Sequence, residues 1–400
     1  MRRALALLPV ALLLPGCGST LPRPFDCDQP PLDGRAFRTV EEPVPGRYIV
    51  VLAGAAEALA REAVEATTTA LVTEYECRNV SRFETALPGF AADMSRPEAR
   101  RMARDPRVAF VQEDGTKRVS PRPAQQTDPV WGLDRIDQRD LPLDDLYEPG
   151  ADGSGVHAYV LDTGVDLDHP EFAGRLGEAF SSFPGSAEDD HGHGTHVAGT
   201  LGGSEFGVAK AVVLHPVKVL VQGSGADSDV IEGVEWVTGH VQANGWSAVA
   251  NMSLGGGASD AFDLAVCNSM AAGIAYAVAG GNDAGNACAG SPSRILQAVT
   301  VGATDSSDRV AAFSNQGECT DLFAPGVNIR SARWPGGSTV LSGTSMASPH
   351  AAGVAALCLE RGAPPEPTAV AACLVDAATP ERLSGVDSDT PDLLLYARED

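Results

Sequence analysis

Beyond Val130, short apolar runs alternate with helical segments, and this alternation constrains the fold more than any other feature of the 400-residue chain. The runs are often β-branched, as strands buried on both faces of a parallel sheet should be. The predicted strands are residues 156–161, 213–220, 249–253, 274–278 and 298–301, and the predicted helices are about 229–243, 260–272 and 346–360. We therefore predict an α/β fold with a doubly wound, mainly parallel sheet, whose ligands bind at the carboxyl ends of the strands.

A small α+β unit is predicted ahead of this domain, at residues 46–118. Ser95 and Glu98 form a capping-box pattern with Pro97 in the first turn, and this pattern predicts a helix start between two strands. The strand-like runs of the unit are residues 47–52, 90–94 and 108–112.

The first residues of the chain have the pattern of a secretory leader. Arg2 and Arg3 precede an apolar run, residues 4–14, that is too short to span a bilayer as a helix. The run ends in Leu-Pro-Gly-Cys, which resembles the bacterial lipobox and leaves two outcomes open, lipidation of Cys17 or ordinary cleavage. The predicted division of the chain is a leader at 1–17, a linker at 18–45, the α+β unit at 46–118, a processing linker at 119–127 and the α/β domain at 128–400.

The charge balance limits the possible partners. The chain has 29 lysines and arginines against 53 aspartates and glutamates, a net charge of −24. A surface this acidic repels nucleic acid and anionic lipid at long range, so no nucleic-acid partner is expected. Acidic clusters have two interpretations, a solubilising surface or a set of hard oxygen ligands for calcium.

Three glycine-rich blocks each contain one reactive side chain at a predicted strand or helix end. The first block carries Asp162, directly after the apolar strand 156–161. The second block contains three histidines within six residues, His191, His193 and His196. These imidazoles predict either a zinc site or a general base, and His193 is the candidate for the base.

The third block, residues 342–350, places Ser345 at a helix N-terminus, because Gly343 permits a tight turn and Pro349 is tolerated only near a helix start. The free N–H groups at such a terminus can stabilise negative charge on an acyl oxygen. A plain helix cap is the alternative role for this serine.

Asp162, His193 and Ser345 together supply the orienting carboxylate, the base and the nucleophile of acyl transfer. A fourth block, residues 279–282, ends a strand with Asn282, whose amide N–H could complete an oxyanion hole. Taken alone, this block would be a simple Gly-Asn turn.

With these blocks in this order, the chain closely resembles the subtilases, in particular the proteinase K-like group and its aqualysin-like bacterial enzymes. Residues 46–118 similarly resemble the inhibitory propeptide of that family, a ferredoxin-like domain that caps the active site and is removed autocatalytically. The resemblance covers about 130–398 and rests on residues 131–138, the Asp162 block, and residues 192–196, 251–256, 281–282 and 343–350.

The resemblance implies a subtilisin-like fold and a secreted serine endopeptidase made as a self-processing zymogen. Ser345 would attack the peptide carbonyl, His193 would move the proton and Asp162 would hold His193, while Asn282 and the Ser345 N–H would bind the oxyanion. The implied partners are protein and peptide substrates and the chain's own propeptide. The alternative is a non-catalytic peptide-binding module on the same fold, which would cleave no unfolded protein.

The resemblance also implies two segments that flank an extended substrate as neighbouring strands, and a wall for the residue before the scissile bond. Recognition through backbone hydrogen bonds implies broad specificity. Gly280 stands where these relatives usually carry Ala, which leaves the size of that pocket open. The implied substrate-binding residues are Gly223, Ser224, Gly225, Ser253, Leu254, Gly255, Ala279, Gly280 and Gly281.

Calcium is the cofactor that the resemblance implies, at two sites. Leu146 occupies a position that is an asparagine ligand of the first site in close relatives. The residues that match the first site are Asp134, Asp137, Gln138 and Asp144, and those that match the second are Asp321 with the carbonyls of Leu296 and Ala298.

The cysteines fit an oxidising compartment. The expected disulfides are Cys288 with Cys319, which the resemblance implies, Cys358 with Cys373, and Cys27 with Cys77 inside the prosegment. Cys267 is expected to be buried and free.

The leader and the resemblance predict an extracellular mature enzyme that is a monomer. If Cys17 is lipidated, the precursor is a membrane lipoprotein whose anchor lies on the prosegment. Self-cleavage near residues 120–126 is then expected to release the mature enzyme from the membrane.

Overall fold

The computed structural model describes five stretches of the chain. They are residues 24–27, 36–54, 61–118, 122–123 (backbone only) and 131–398. The predicted leader, with Cys17, lies outside them, and so does the predicted processing linker 119–127 apart from two residues. Within the described stretches, no helix combines the length and the apolar character needed to cross a bilayer.

The N-terminal domain, residues 36–118, has the βαββαβ order of a ferredoxin-like fold from residue 43 onward, as predicted, with one additional short strand before it. Its elements are β1 (Phe37–Arg38), β2 (Pro43–Leu52), α1 (Arg61–Glu74), β3 (Arg78–Phe83), β4 (Gly89–Asp93), α2 (Arg96–Met102) and β5 (Val108–Arg118). The sheet has the order β1-β5-β2-β4-β3, and all neighbours are antiparallel except β1 and β5.

Alternation along β2 divides the N-terminal sheet into two buried faces. Tyr48 and Val50 pack with the helices α1 and α2 in the domain's own core. Ile49 and Val51 point the other way and join a core cluster of the large domain, residues 131–398. The sheet therefore binds the large domain with one face and its own helices with the other.

The predicted start of α2 is confirmed by its capping box. The Ser95 hydroxyl accepts the Glu98 N–H, and the Glu98 carboxylate accepts the Ser95 N–H at 3.0 Å. β5, in contrast, continues past its predicted end at Gln112 as far as Arg118. The extension exists because Thr116–Arg118 pairs with a strand of the large domain, which local sequence does not reveal.

Part of the predicted linker 18–45 is structured, so the prediction of a linker was wrong for residues 24–27 and 36–45. Phe37–Arg38 pairs with β5, and the Arg38 guanidinium lies 3.9 Å from the centre of the Phe110 ring. Residues 24–27 contact the large domain. The sequence analysis missed these pairings because the segment is rich in proline and lacks periodicity, and because the partners are distant in sequence.

The large domain contains a nine-stranded sheet with the order β19-β20-β16-β15-β13-β11-β7-β9-β8, parallel except at β19. The strands after β5 are β6 (Arg122–Pro123), β7 (His157–Asp162), β8 (Phe180–Ser181), β9 (Val213–Lys218), β10 (Ser224–Ala226), β11 (Ala248–Met252), β12 (Gly256–Gly257), β13 (Ile274–Ala279), β14 (Gly290–Ser291), β15 (Val299–Thr304), β16 (Leu322–Pro325), β17 (Ile329–Ala332), β18 (Ser338–Ser342), β19 (Thr379–Pro380) and β20 (Leu393–Leu394). The predicted α/β architecture with a mainly parallel sheet is confirmed.

Helices cover both faces of this sheet, as a doubly wound fold requires. They are α3 (Trp131–Ile136), α4 (His193–Gly202), α5 (Asp227–Asn244), α6 (Asp260–Ala271), α7 (Thr344–Glu360) and α8 (Pro367–Ala377). Side chains of α4 and α7 belong to one core cluster and those of α5 and α6 to the other. On α7, a Cβ added at Gly353 would lie 2.5 Å from the Cβ of Val208, so close packing there requires glycine.

The sheet order reverses beside β7, whose neighbours are β9 on one side and β11 on the other. Such a reversal opens a crevice at the carboxyl ends of the strands, where α/β proteins bind their ligands. Here those ends carry Asp162, the last residue of β7, and Ser253, which follows β11.

Three disulfides join the described cysteines. Two are the expected bonds Cys288–Cys319 and Cys358–Cys373. The third joins Cys27 to Cys267, so the expectations of a Cys27–Cys77 bond and of a free Cys267 were wrong. The reason is a backbone pairing of Phe25 with Ile295 that brings Cys27 against α6, while Cys77 is unbonded and partly buried.

Candidate active site

Asp162 and His193 form a hydrogen-bonded pair that is shielded from solvent. The distance between Asp162 Oδ1 and His193 Nδ1 is 2.7 Å, and both side chains are 0% exposed. Asp162 lies at the end of β7 and His193 at the start of α4. A Cβ added at Gly194 would lie 2.1 Å from the Gly164 carbonyl oxygen, so this close approach of helix to strand requires glycine.

A buried carboxylate that the sequence analysis missed, Asp189, joins these two elements. Its Oδ1 accepts the Thr163 hydroxyl at 2.8 Å, and its Oδ2 accepts the Thr195 N–H at 2.9 Å. The N–H groups of His191 and Gly192 also donate to it, at 3.0 and 2.9 Å. Asp189 therefore caps the first turn of α4 and fixes the turn after β7.

The three clustered histidines do not converge on one point. The His196 Nε2 bonds the Ile329 carbonyl at 3.0 Å, and burial lowers the pKa of this imidazole to about 3. His191 is exposed, whereas His193 faces Asp162. Among the described residues no group of three or more potential ligands is assembled, so the geometry does not favour the zinc interpretation.

Ser345 is the second residue of α7 and contacts the end of β11. Its hydroxyl donates to the Ser253 carbonyl at 3.2 Å, and the Ser253 hydroxyl donates back to the Ser345 carbonyl at 2.8 Å. In this structure the serine hydroxyl is therefore not bonded to His193, whose Nε2 is buried without a hydrogen-bond partner among the described atoms. Asn251 supports the arrangement, since its amide donates to the Ser253 hydroxyl and its Oδ1 accepts the Ser348 hydroxyl.

Asn282 contacts the first residue of the same helix. Its Oδ1 accepts the Thr344 N–H at 2.8 Å and the Thr344 hydroxyl at 3.0 Å, which orients the amide of Asn282. Asn315 shapes the loop on the other side, because its Nδ2 donates to the Gly280 carbonyl and its Oδ1 accepts the N–H groups of Asp283 and Gly285. Asn282 thus links the loop after β13 to the start of α7, and Asn315 links the same loop to a segment about 30 residues further along the chain.

These elements and the N-terminal domain together line a cleft of about 470 Å³. Among the predicted substrate-binding residues, its lining includes Ser253, Leu254, Gly255, Ala279, Gly280 and Gly281. Asn282 and Ser345 line it too, together with Glu41, Glu42, Thr116 and Arg118 of the N-terminal domain. A Cβ added at Gly280 would lie 3.2 Å from the Val301 carbonyl oxygen, so alanine would fit there only tightly.

The end of β5 lies in the cleft as an extended strand between β10 and the segment around Gly255. On one side Thr116–Arg118 pairs antiparallel with Ser224–Ala226. On the other side Arg118 and Gly255 exchange two backbone hydrogen bonds, of 2.9 and 3.1 Å. Gly223, with φ of 81°, forms the turn that leads into β10. The chain thus fills its own groove in the manner of a bound peptide.

Charged contacts fix this strand in place. Lys117 is 1% exposed and pairs with the buried Asp227 at 2.7 Å, and its ammonium also donates to the Gly257 carbonyl at 3.0 Å. Asp114 accepts the N–H and hydroxyl of Ser228 at the start of α5. Burial and the nearby Asp227 raise the pKa of Asp114 to about 7.

Further along α5, Glu235 binds a loop of the N-terminal domain. Its carboxylate accepts the backbone N–H groups of the four residues 84–87, at distances from 2.6 to 3.2 Å. These charge-assisted bonds are among the stronger hydrogen bonds in proteins. The N-terminal domain is therefore attached to the large domain at both its strand end and this loop.

The residues expected at the first calcium site do not form a calcium cage. Asp134 accepts the N–H groups of Asp144 and Asp145, and Gln138 Oε1 accepts that of Asp144 as well. The Asp137 carboxylate is similarly occupied by the Glu148 N–H. Among the described residues, these side chains do not assemble into a group of three or more potential metal ligands.

The second expected site fits calcium better. The Asp321 carboxylate accepts one backbone N–H, from Thr300 at 2.7 Å, and burial raises the pKa of this carboxyl to about 7. A desolvated carboxylate with a single donor is a suitable hard oxygen ligand. Leu296 lies at the surface, 46% exposed, whereas Ala298 is buried, 2% exposed.

Fold and cleft together define a class of protein, a serine hydrolase on a doubly wound sheet that carries an inhibitory strand in its substrate groove. Comparison with known proteins supports this assignment. A family model described as the subtilase family matches residues 153–391, and one described as peptidase inhibitor I9 matches residues 47–120. The chain belongs to the subtilase family of serine proteinases and carries the I9 inhibitor domain of such enzymes.

Individual relatives are similar over most of the chain. An extracellular serine proteinase of Thermus sp. (strain Rt41A) is 47% identical over 99% of both chains. Alkaline serine exoprotease A of Vibrio alginolyticus is 45% identical over 82% of this chain and 61% of its own length. Among solved structures, that of a cold adapted subtilisin-like serine proteinase matches with a TM-score of 0.65 and 48% identity, over 68% of this chain and all of the other.

Proposed function

We propose that the chain is an exported endopeptidase of broad specificity that cleaves its own precursor, with Ser345 as the nucleophile, His193 as the base, Asp162 as its orienting carboxylate and Asn282 as an oxyanion donor. The observation that carries the proposal is the shielded Asp162–His193 contact of 2.7 Å. It is supported by the peptide strand that already lies in the adjoining groove.

The proposed reaction begins with a rotation of the Ser345 hydroxyl. In the precursor this hydroxyl donates to the Ser253 carbonyl, while His193 Nε2 has no partner among the described atoms. Turning the hydroxyl to that nitrogen lets the imidazole accept its proton as the oxygen attacks a peptide carbonyl. Asp162 holds the Nδ1–H of His193 throughout and stabilises the imidazolium that forms.

The negative charge on the attacked carbonyl would be held by two donors. One is the Ser345 N–H at the positive end of α7, and the other is the amide of Asn282. The bonds from Thr344 to the Asn282 oxygen support this role, because they orient the opposite, donating end of the amide. Removing one such donor typically lowers turnover by about 100- to 1000-fold.

Broad specificity is supported by the way in which the groove holds β5. The bonds between Arg118 and Gly255 are made by backbone atoms, which every amino acid possesses. At the wall of the proposed pocket, a Cβ added at Gly280 would lie 3.2 Å from the Val301 carbonyl oxygen, so the glycine lets the wall approach β15 closely.

A serine-directed sulfonyl fluoride tests the assignment of the nucleophile. Treatment of the mature enzyme should abolish casein cleavage and add one reagent-derived group to the peptide that contains Ser345, as measured by peptide mass mapping. A zinc chelator should leave the activity unchanged and serves as the control for metal-dependent chemistry. Full inhibition with the adduct on any other serine would contradict the assignment.

We also propose a structural calcium ion at Asp321, which would use the carbonyls of Leu296 and Ala298 as further ligands. Support comes from the buried carboxylate of Asp321, which accepts one backbone N–H. Calcium would add stability by binding only the folded chain, about 2.7 kcal/mol at a concentration 100-fold above its Kd.

Thermal unfolding of the sulfonylated, inactive mature enzyme tests this site. The wild type should gain several degrees in Tm with calcium, and Asp321→Asn should lose that gain. Asp389→Asn, at an exposed aspartate, removes the same charge and should keep the full gain. An undiminished calcium response in Asp321→Asn would refute the site.

Export of the chain to the cell exterior, with a monomeric mature form, is part of the same proposal. Its support is the extracellular proteinase of the Thermus strain and the three disulfides, which suit an oxidising compartment. We propose lipidation of Cys17 as the means by which the precursor is held at the membrane.

A further inference from the structure

A short segment at the start of the described chain, residues 24–27, is bound to the large domain. The Phe25 N–H donates to the Arg294 carbonyl at 2.6 Å, and the Leu296 N–H donates to the Phe25 carbonyl at 3.1 Å. The Phe25 side chain is 1% exposed and belongs to a core cluster of the large domain. This prosegment residue therefore packs as a core residue of the domain that follows it.

Polar contacts continue from Phe25 to the next two residues. The Cys27 N–H donates to Gln297 Oε1 at 3.1 Å, and the amide of Gln297 donates to the Asp26 carboxylate at 2.9 Å. The side chain of Gln297 thus binds the segment at two points. Together with the bonds of Phe25, these contacts hold Cys27 in register against α6.

A disulfide attaches this segment covalently to the large domain. Cys27 is joined to Cys267 of α6, and their Cα atoms are 5.3 Å apart. The bond closes a loop with a sequence separation of 240 residues, which contains the whole N-terminal domain and the proposed processing region. Cutting one peptide bond inside such a loop leaves both fragments in one molecule.

We propose that the self-cleaved enzyme remains a two-chain molecule, with its prosegment attached through the Cys27–Cys267 disulfide, until a thiol–disulfide exchange separates the chains. The proposal rests on the self-processing described under the proposed function. Because the inhibitor domain stays tethered, its return to the groove is intramolecular, at an effective concentration of the order of millimolar. Peptide-bond cleavage alone therefore leaves the groove occupied.

The step that completes release needs a dithiol reductant. One of its thiolates attacks Cys27, the more exposed partner, and the Cys267 sulfur leaves as a thiolate that takes up a proton. The second thiolate of the reductant then displaces Cys27, so the reductant becomes a cyclic disulfide and the protein gains two thiols. A second proteolytic cut after Cys27 would instead leave a short peptide on Cys267.

The proposed tether would change one expectation from the sequence. If the precursor is lipidated on Cys17, self-cleavage near residues 120–126 is expected to release the mature enzyme from the membrane. With Cys27 bonded to Cys267, an anchor on Cys17 would stay connected to the mature chain. Release would then require exchange of the disulfide or a cut between Cys17 and Cys27.

The full-length precursor, processed under oxidising conditions, provides the test. Gel electrophoresis and intact mass without reductant should show a single species of precursor mass plus one water, which dithiothreitol separates into mature chain and prosegment. Cys27→Ser should give separate chains without reductant, and Cys77→Ser, the matched control, should behave like the wild type. Peptide mapping of unreduced wild type should also yield a linked fragment containing Cys27 and Cys267, which is independent of how the variants fold.

Two results would overturn the tether. One is a mature wild-type chain whose Cys267 is alkylated without reduction, and the other is a Cys27–Cys77 fragment in the unreduced map. Failure of self-processing itself looks different, because the chain would then stay intact in reductant as well. A Cys27 peptide left on Cys267 after further proteolysis would support the proposal.

Discussion

The Ser345→Ala precursor should remain at full length under conditions in which the wild type separates into two chains on a reducing gel. The substitution removes the only proposed nucleophile, and loss of this group in serine peptidases of this mechanism lowers kcat by about 10⁶-fold. The alanine leaves the surrounding bonds between Ser253 and Asn251 in place, so the fold should persist. Intact mass and N-terminal sequencing of the purified protein measure the outcome.

Two controls make this result specific. Ser306→Ala, at an exposed serine, should mature like the wild type. Catalytic amounts of mature wild-type enzyme should cut the Ser345→Ala precursor in trans, which would show that the processing region is a competent substrate. Maturation of purified Ser345→Ala precursor in isolation would show that another group carries the reaction.

Asp162→Asn should lower turnover by about 10⁴-fold, equivalent to about 5.5 kcal/mol of transition-state stabilisation. The amide N–H that replaces Oδ1 would face His193 Nδ1, now 2.7 Å away, and would place the imidazole proton on Nε2. A protonated Nε2 cannot accept the Ser345 proton. The kcat on a chromogenic peptide, with mature enzyme produced by trans-processing, provides the measurement.

Asp168→Asn is the matched control, because it removes the same charge from an exposed position six residues further along the same segment. Its kcat should stay within a factor of two of the wild type. A kcat for Asp162→Asn within tenfold of the wild type would mean that the carboxylate does not orient the base. An unchanged unfolding midpoint for Asp162→Asn would separate the loss of rate from loss of structure.

Sequence alone predicted the parts of the site that depend on short segments. Asp162 ends an apolar strand, and Ser345 lies two residues after a glycine at a helix start, so their positions in the fold are encoded by their neighbours. The same holds for the capping box at Ser95. Such features need only local propensity and the chain geometry of a parallel sheet.

The residues that support the site were missed because their partners are distant in sequence. Asn315 shapes the loop of Gly280 from 35 positions away, and Glu235 binds a loop 148 to 151 positions before it. Asp189 had one local signal, an acidic residue just before the first turn of a helix. Pairing of Cys27 with Cys267 depends on the docking of Phe25, which composition and spacing do not indicate.

The hydrogen bonds that pair Thr116–Arg118 with Ser224–Ala226 and with Gly255 join main-chain atoms. Under the proposed function, such backbone pairing would select polypeptides that can adopt an extended conformation rather than particular amino acids. Folded proteins would then resist cleavage until they unfold locally, and the same would hold for the enzyme's own chain.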